Sequence, residues 1–374
     1  MLKIQYDAEQ ICRLTNTPIT TGRVLIQKTL GKSNSSYIYS MKKTILSILL
    51  SVFTFSAFSL QFEWVKMIRG LHIQINEFMT MDKQGNIYGI GRFSHTGDFD
   101  PGSGTFNLVA NGTWSANATD IYIVKLDKNG DFRWAKSMGS KKYDAGFNIQ
   151  VDQDGNVYSI GVVGDTTDFD PGVGVYNLVN QPNVSYTYLQ KLDSSGNFLW
   201  AKIIGEGSSA AGTSLLLDST QHIYISGSFY GSCDFDPTAA SFLLTTTSLL
   251  PSSSQCFIAK YDTSGAFIWA RQTQSVSNGY AVVNSMALDS DGAFYLGGAY
   301  SYAVDFDPGI GVQSAITNGT QDGFILKLDS LGQFVWFKTI NSTKDLYVHH
   351  VHRSKTGGIH LAVGYEGVAD LDPG

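Results

Sequence analysis

An acidic phrase returns through the chain at a nearly constant distance, four times as DFDP and, in the last residues, as DLDP. Its first aspartates are Asp98, Asp168, Asp234, Asp305 and Asp370, separated by 70, 66, 71 and 65 residues. The phrases FEWVK, FRWAK, FLWAK, FIWAR and FVWFK place Trp64, Trp134, Trp200, Trp269 and Trp336 at steps of 70, 66, 69 and 67. Two columns in phase define a repeat of about 68 residues. Such a period constrains the fold more than any local propensity, because each unit must bury its apolar faces on copies of itself.

Within one unit four strands are predicted, here lettered a to d: GFNIQVD, NVYSIGVV, TYLQKLD and NFLWAKII in the second repeat, each rich in β-branched and aromatic residues. DQDGN separates a from b and DSSGN separates c from d. In each, an aspartate caps the turn and a glycine three residues later supplies the positive φ of a short antiparallel hairpin. DKQGN, DKNGD, DTSGA, DSDGA and DSLGQ repeat that chemistry. Tyr158 and Ile160 alternate with Val157 on strand b, so both faces of the sheet are apolar and both must be covered. Radial packing of like sheets does this, which predicts an all-β fold, a β-propeller of four-stranded antiparallel blades. A β-helix is excluded, since its coils are parallel and its turns are not hairpins. The units expected are 71–140, 141–206, 207–275 and 276–342, with a partial unit at 343–374 and residues 60–70 as a lone strand d closing the last blade. Only strands a and b of that unit are visible, so the ring is expected to be incomplete. Its edge is left open for missing repeats of a longer parent chain.

From Phe62 to Gly374 the motifs D-x-D-G-N-x-Y, D-F-D-P-G and K-L-D-x-x-G-x-F-x-W resemble the SBBP type of bacterial β-propeller repeat, common in large exported proteins of Bacteroidetes. The resemblance implies a propeller fold and an exported protein. It implies no particular activity. Relatives often end in a sorting domain for type IX secretion, and no such domain appears before Gly374.

The amino-terminal part reads differently. Met41, Lys42 and Lys43 precede an apolar run from Ile45 to Phe58, and Ala57-Phe58-Ser59 has the small-x-small pattern of a cleavage site, so residues 41–59 are read as a secretory signal peptide. The run falls short of the roughly 20 apolar residues of a spanning helix. Residues 1–40 are then a mis-assigned or disordered extension, and the protein is expected to be secreted or at the cell surface. No membrane span is expected after signal removal. Without residues 1–59 the chain loses seven of its 26 basic residues and two of its 32 acidic ones, leaving 19 against 30, a net charge of −11. Phosphate binding needs basic patches, so nucleic acid is excluded as a partner.

The strand directions put the acidic phrase, the long b–c segments such as Val173 to Ser185, and the d–a crossings on one rim, with only tight hairpins on the other. Variable loops on a rigid scaffold are where binding normally resides. The aspartate columns Asp98, Asp100, Asp168, Asp170, Asp234, Asp236, Asp305, Asp307, Asp370 and Asp372 admit two readings. They cap backbone N–H groups at the strand exit, or they offer paired carboxylate oxygens to calcium, the one cofactor the sequence suggests. Lys66, Lys136, Lys202, Arg271 and Lys338, two residues after each tryptophan, are expected to form ion pairs with these aspartates. The five tryptophans are assigned to the structural core, wedged between blades. His350 and His352 face one side of a strand and form a candidate transition-metal pair. Cys233 and Cys256 meet the same rim, where either a disulfide or two free thiols fits the export reading.

No nucleophile motif, HExxH or phosphate loop occurs, and each prominent residue recurs in register, whereas a catalytic site breaks a repeat in one place. The sequence therefore reads as no enzyme, but as a binding or adhesion scaffold for a protein or glycan. The alternatives are a fragment of a propeller-containing polysaccharide-degrading enzyme, and a structural spacer in a larger surface protein.

Overall fold

Strand register confirms the meander. The computed structural model describes residues 10–18, 58–70, 72–112, 118–179, 184–247, 253–354 and 356–372. Blade 1 consists of Gln74–Met81, Ile87–Phe93, Asp120–Leu126 and Phe132–Met138, paired antiparallel in that order. Blade 2 is Ala145–Val151, Val157–Val163, Tyr186–Leu192 and Phe198–Ile204. Blade 3 is Ser209–Leu217, Ile223–Tyr230, Gln255–Tyr261 and Phe267–Gln272. Blade 4 is Gln274–Leu288, Phe294–Asp305, Asp322–Leu328 and Phe334–Ser342. The fifth blade has strands a and b only, Leu346–Arg353 and Ile359–Tyr365. The fold is thus an incomplete β-propeller of four-stranded antiparallel blades, as the period requires. Among the described residues no helix is long and apolar enough to cross a membrane.

The hairpins form because one aspartate satisfies several donors at once. Asp152 Oδ1 accepts from the Asp154 and Asn156 N–H groups at 2.9 and 2.8 Å, and Oδ2 accepts from Asn156 Nδ2 at 2.8 Å and from the Tyr158 hydroxyl at 3.4 Å. Gly155 takes the positive φ, 84°. In blade 3 the same site is Gln221, at φ 66°, where a side chain is accommodated at a cost glycine avoids.

The core lies between blades. Tyr158, Ile160 and Leu189 of blade 2 pack with Leu215, Ile225 and Phe257 of blade 3, while Val157, Val163 and Tyr188 on the other face pack with Tyr88, Ile90 and Ile123 of blade 1. Equivalent clusters join blade 3 to blade 4 and blade 4 to the fifth. Both faces of strand b are buried, which is why its apolar residues alternate in destination and not in polarity.

Residues 10–66 form a separate compact unit. There Gln10–Pro18 pairs with Phe58–Met67 in a two-stranded ladder. Of the residues read as a lone strand d, those up to Met67 lie in this ladder, while Arg69–Gly70 pairs with Thr96–Asp98. An unpaired strand carries a row of open N–H and C=O groups that any available extended segment satisfies. The signal-peptide segment, apart from Phe58 and Ser59, lies outside the described residues.

Candidate functional site

At the rim, the acidic phrase is a staple. The backbone of its first aspartate pairs with a residue at or just beyond the end of strand d of the preceding repeat: Arg69 with Asp98, Gly139 with Asp168, Glu206 with Asp234, Gln274 with Asp305 and Asn341 with Asp370. Its carboxylate closes its own loop. Asp168 Oδ1 accepts from Asp170 N–H at 3.0 Å and from Tyr176 N–H at 2.8 Å, and Asp98, Asp234 and Asp305 do likewise across the same eight residues. Asp370 caps Asp372. The second aspartates Asp100, Asp170, Asp236 and Asp307 accept from the N–H two residues on, at 2.7–2.9 Å. The capping reading therefore accounts for the columns. The described residues contain no group of three or more His, Cys, Asp or Glu side chains placed to hold a metal.

Between the two aspartates sits a residue that sequence reasoning passed over. Phe99, Phe169, Phe235 and Phe306 are fully buried, each against the aromatic residue of strand c: Tyr122 at 4.8 Å, Tyr188 at 5.0 Å, Phe257 at 4.7 Å and Phe324 at 4.8 Å between ring centres. The alternation of an extended segment sends the flanking carboxylates outward and this ring inward. In the fifth copy Leu371 is 54% exposed, because strand c of its blade is not there to receive it.

Three members of the basic column pack on hairpins. Lys136 and Lys202 do not reach the acidic phrase; with Trp134 and Trp200 they cover the c–d hairpin of the next blade, against Gly196 and Gly265. Trp134 Nε1 donates to the Ser194 carbonyl there at 3.2 Å. Burial raises the pKa values of Asp193 and Asp262, but hydrogen bonds from their hairpins and the charges of Lys136 and Lys202 bring both below the usual carboxylate value. Arg271 stacks over Trp269 at 5.4 Å. Lys338 is exposed on strand d of blade 4, and Lys66 belongs to the separate unit. Lys136, Lys202 and Arg271 lie mid-strand and lean toward the hairpin rim. The tryptophans are half-buried shelves for the neighbouring hairpin, while tyrosines such as Tyr88 and Tyr158 fill the deepest positions.

A second cation column, on strand c, emerges only from register. Lys125, Lys191, Lys260 and Lys327 lie between the tyrosine of strand b and the tryptophan of strand d, each ammonium 4.7–5.1 Å from the centre of Tyr88, Tyr158, Tyr224 or Tyr295. The K-L-D motif thus supplies a cation–π rung in every complete blade.

Cys233 and Cys256 are both free and buried, on opposite faces of blade 3, one packed toward blade 2 and the other toward blade 4. The disulfide alternative is thereby corrected to the free-thiol one. Burial pushes the Cys233 thiol up to about 11 and raises Cys256 further, so neither is a nucleophile at neutral pH. His350 and His352 are exposed on strand a of the fifth blade. His350 Nδ1 lies 3.0 Å from Ser285 Oγ, and the His352 ring is 6.2 Å from that of His360 across the hairpin.

Two carboxyls are buried together. Asp144 breaks the repeat, standing where other units carry Ala210, Ala281 or Leu346, while Asp120 shares its position with Asp322 of blade 4 and with Tyr186 and Gln255 of blades 2 and 3; both lie fully buried at the junction of blades 1 and 2. Burial, with the Asp144 charge, pushes Asp120 up to about 7 against hydrogen bonds from Asn111. Burial likewise raises Asp144 to about 6, against the N–H groups of Gly164 and Ser140.

The inner strands enclose the axis. Every strand a carries a β-bulge at the same place, leaving Glu77, Phe147, Thr213, Asn284 and His349 unpaired. A glycine on strand b makes room, since a Cβ at Gly161 would collide with the Ala145 carbonyl. All five bulged residues line one cavity of about 560 Å³ along the axis. Thr213 Oγ1 donates to the Val283 carbonyl at 2.6 Å and Asn284 Nδ2 to the Val348 carbonyl at 3.1 Å, so some of the ring clasps the next blade. Glu77 is bound by Arg92.

No protein-family model matches the chain. An uncharacterized WD repeat-containing protein of Acanthamoeba polyphaga mimivirus is 23% identical over 244 residues, which are 58% of this chain and 17% of that protein. That likeness agrees with the propeller seen in the blades. Two solved structures of the extracellular domain of a putative hybrid or one-component system from B. thetaiotaomicron each align with 79% of this chain and 38% of theirs, at 12% and 14% identity and TM-score 0.25. The chain is thus an antiparallel β-repeat protein of propeller type that spans well under half of the proteins it matches.

Proposed function

We propose that the protein is an exported, cell-surface or extracellular propeller of the SBBP kind, carried out by the signal peptide at 41–59, and that it serves as a binding or adhesion scaffold for a protein or glycan. One observation supports this above the rest: the residues that recur are consumed by the fold as caps, staples and rungs, while the rim hairpins expose apolar side chains with no structural use. Val173 and Ile310 are fully exposed at their tips, with Val175 and Val312 beside them. The one serine–histidine contact on the axis does not favour an enzyme. Ser285 Oγ accepts the Val351 N–H at 3.1 Å just as Ser214 Oγ accepts that of Met286, which makes both serines inter-blade clasps.

The test is the full chain on glycan and protein arrays, beside a doubly substituted Val173→Asp, Ile310→Asp variant and an assay for polysaccharide cleavage. Binding that the variant loses, with no new reducing ends, is expected. Release of sugar products by the wild-type protein would overturn the scaffold reading.

A further inference from the structure

We propose that the cross-strand pair His352 and His360 on the fifth blade binds a divalent late-transition-metal ion, copper(II) most tightly; this goes beyond the scaffold reading and does not rest on it. The pair stands at a register where the complete blades are alike. Directly opposed residues of strands a and b there are Thr80–Tyr88, Gln150–Tyr158, Leu216–Tyr224 and Ala287–Tyr295, against His352–His360 in the fifth. The four tyrosines are buried, each donates its hydroxyl to the hairpin aspartate, and each carries a strand-c lysine over its ring. In the fifth unit the hairpin position is Ser354, whose backbone and hydroxyl close the turn. Blade building therefore accounts for neither histidine: both members of one pair have changed together, and to the same metal-ligating residue.

Both imidazoles are exposed, and their ring centres lie 6.2 Å apart at an interplanar angle of 55°. Two imidazoles sharing one ion through metal–nitrogen bonds of about 2.0–2.1 Å have ring centres roughly 4.5 Å apart when cis and roughly 6.4 Å apart when trans. The observed spacing thus spans one ion with little movement. The antiparallel ladder already holds the two residues opposite each other, so part of the ordering cost of a chelate is met by the fold. Alternation along strand a turns Arg353 to the other face, where its guanidinium lies over Tyr295 at 5.3 Å, directed away from the pair. His350 is engaged elsewhere, its Nδ1 3.0 Å from Ser285 Oγ of blade 4, so His360 and not His350 is the partner of His352. Imidazole suits copper, nickel and zinc, and the order of affinities at a nitrogen site puts copper(II) highest. Two protein ligands leave the other coordination positions to water or to donor atoms of a bound partner, which makes the site labile rather than structural.

Titration of the full chain with copper(II), nickel(II) and zinc(II) salts, read by calorimetry, tests the pair. About one equivalent of copper is expected to bind in the micromolar range, with nickel and zinc weaker. His352→Ala and His360→Ala should each lose at least about tenfold in copper affinity, and His350→Ala less than about twofold, all with unchanged far-ultraviolet dichroism. The paramagnetic resonance spectrum of the copper-loaded wild-type chain should show coupling to a pair of imidazole nitrogens, a readout that needs no variant and so does not depend on folding. Copper binding that survives His360→Ala unchanged would mark adventitious surface binding and overturn the inference. An equal loss in His350→Ala, or a spectrum without paired nitrogen coupling, would overturn it as well.

Discussion

The rim and the axis of this propeller use polar residues in opposite ways. At the rim the aspartates recur in every unit, and each carboxylate closes the loop that carries it. Along the axis the bulged positions differ from blade to blade, from Glu77 to Phe147 to His349, and all of them line the cavity. A residue that recurs in register answers a need that recurs, namely building a blade. A residue that varies at a geometrically constant position is released from that need.

The largest test of this contrast lies in the staple. Phe235→Ala should cost about 3–5 kcal/mol, the usual penalty for an emptied aromatic site, whereas Leu371→Ala, the same position on the half-blade, should change stability by under about 0.5 kcal/mol. Equal effects in chemical denaturation would mean that the ring is not the plug described.

A smaller effect comes from the carboxyls buried between blades 1 and 2. Asp120 and Asp144 hold protons in the fold at about 7 and about 6, against 3.8 as the reference value. Groups raised in this way stabilise below the reference value and lose that contribution as pH rises through 6 and 7. The hairpin aspartates Asp82, Asp127, Asp193, Asp218, Asp262 and Asp289 are lowered and act in the other direction, failing only as pH falls below about 4. Stability should therefore peak between roughly pH 4 and 6. Asp120→Asn should flatten the alkaline limb and gain on the order of 2–4 kcal/mol at pH 8. A wild-type melting midpoint that does not fall from pH 5 to pH 8 would dispose of the buried acid.

Removing one cap is milder. Asp168→Ala should cost about 1–2 kcal/mol, by analogy with other side-chain caps on backbone N–H groups. A chelator should leave the wild-type midpoint where it is, and a drop of several degrees would return the aspartates to calcium. The smallest change is a gain: Gln221→Gly should stabilise by up to about 1 kcal/mol, since φ 66° costs a side chain what it does not cost glycine. A loss there would show that the glutamine makes a compensating contact.

Much of the fold was legible in the residues because its causes are local. Asp and Gly at fixed spacing make a hairpin, and two columns in phase count the blades. The site was less legible. The strand-c lysines drew no attention because a Tyr–Lys–Trp rung exists only once three strands are in register. The strand-d cations were aimed at the wrong rim because rim assignment followed chain direction, whereas the side chains follow the packing of the next blade. The two cysteines, with 22 residues between them and shared rim placement, were separated by the faces on which they sit.

What the chain alone determined is the period and the four-stranded meander. Those follow from backbone hydrogen bonding and from apolar faces that must be covered. The axial bulge, the orphaned Asn148 and Arg353 and the buried acids at one junction were decided by tertiary packing. Whether a polar atom has a partner depends on which neighbours five sheets bring around one axis, and no stretch of sequence contains that information.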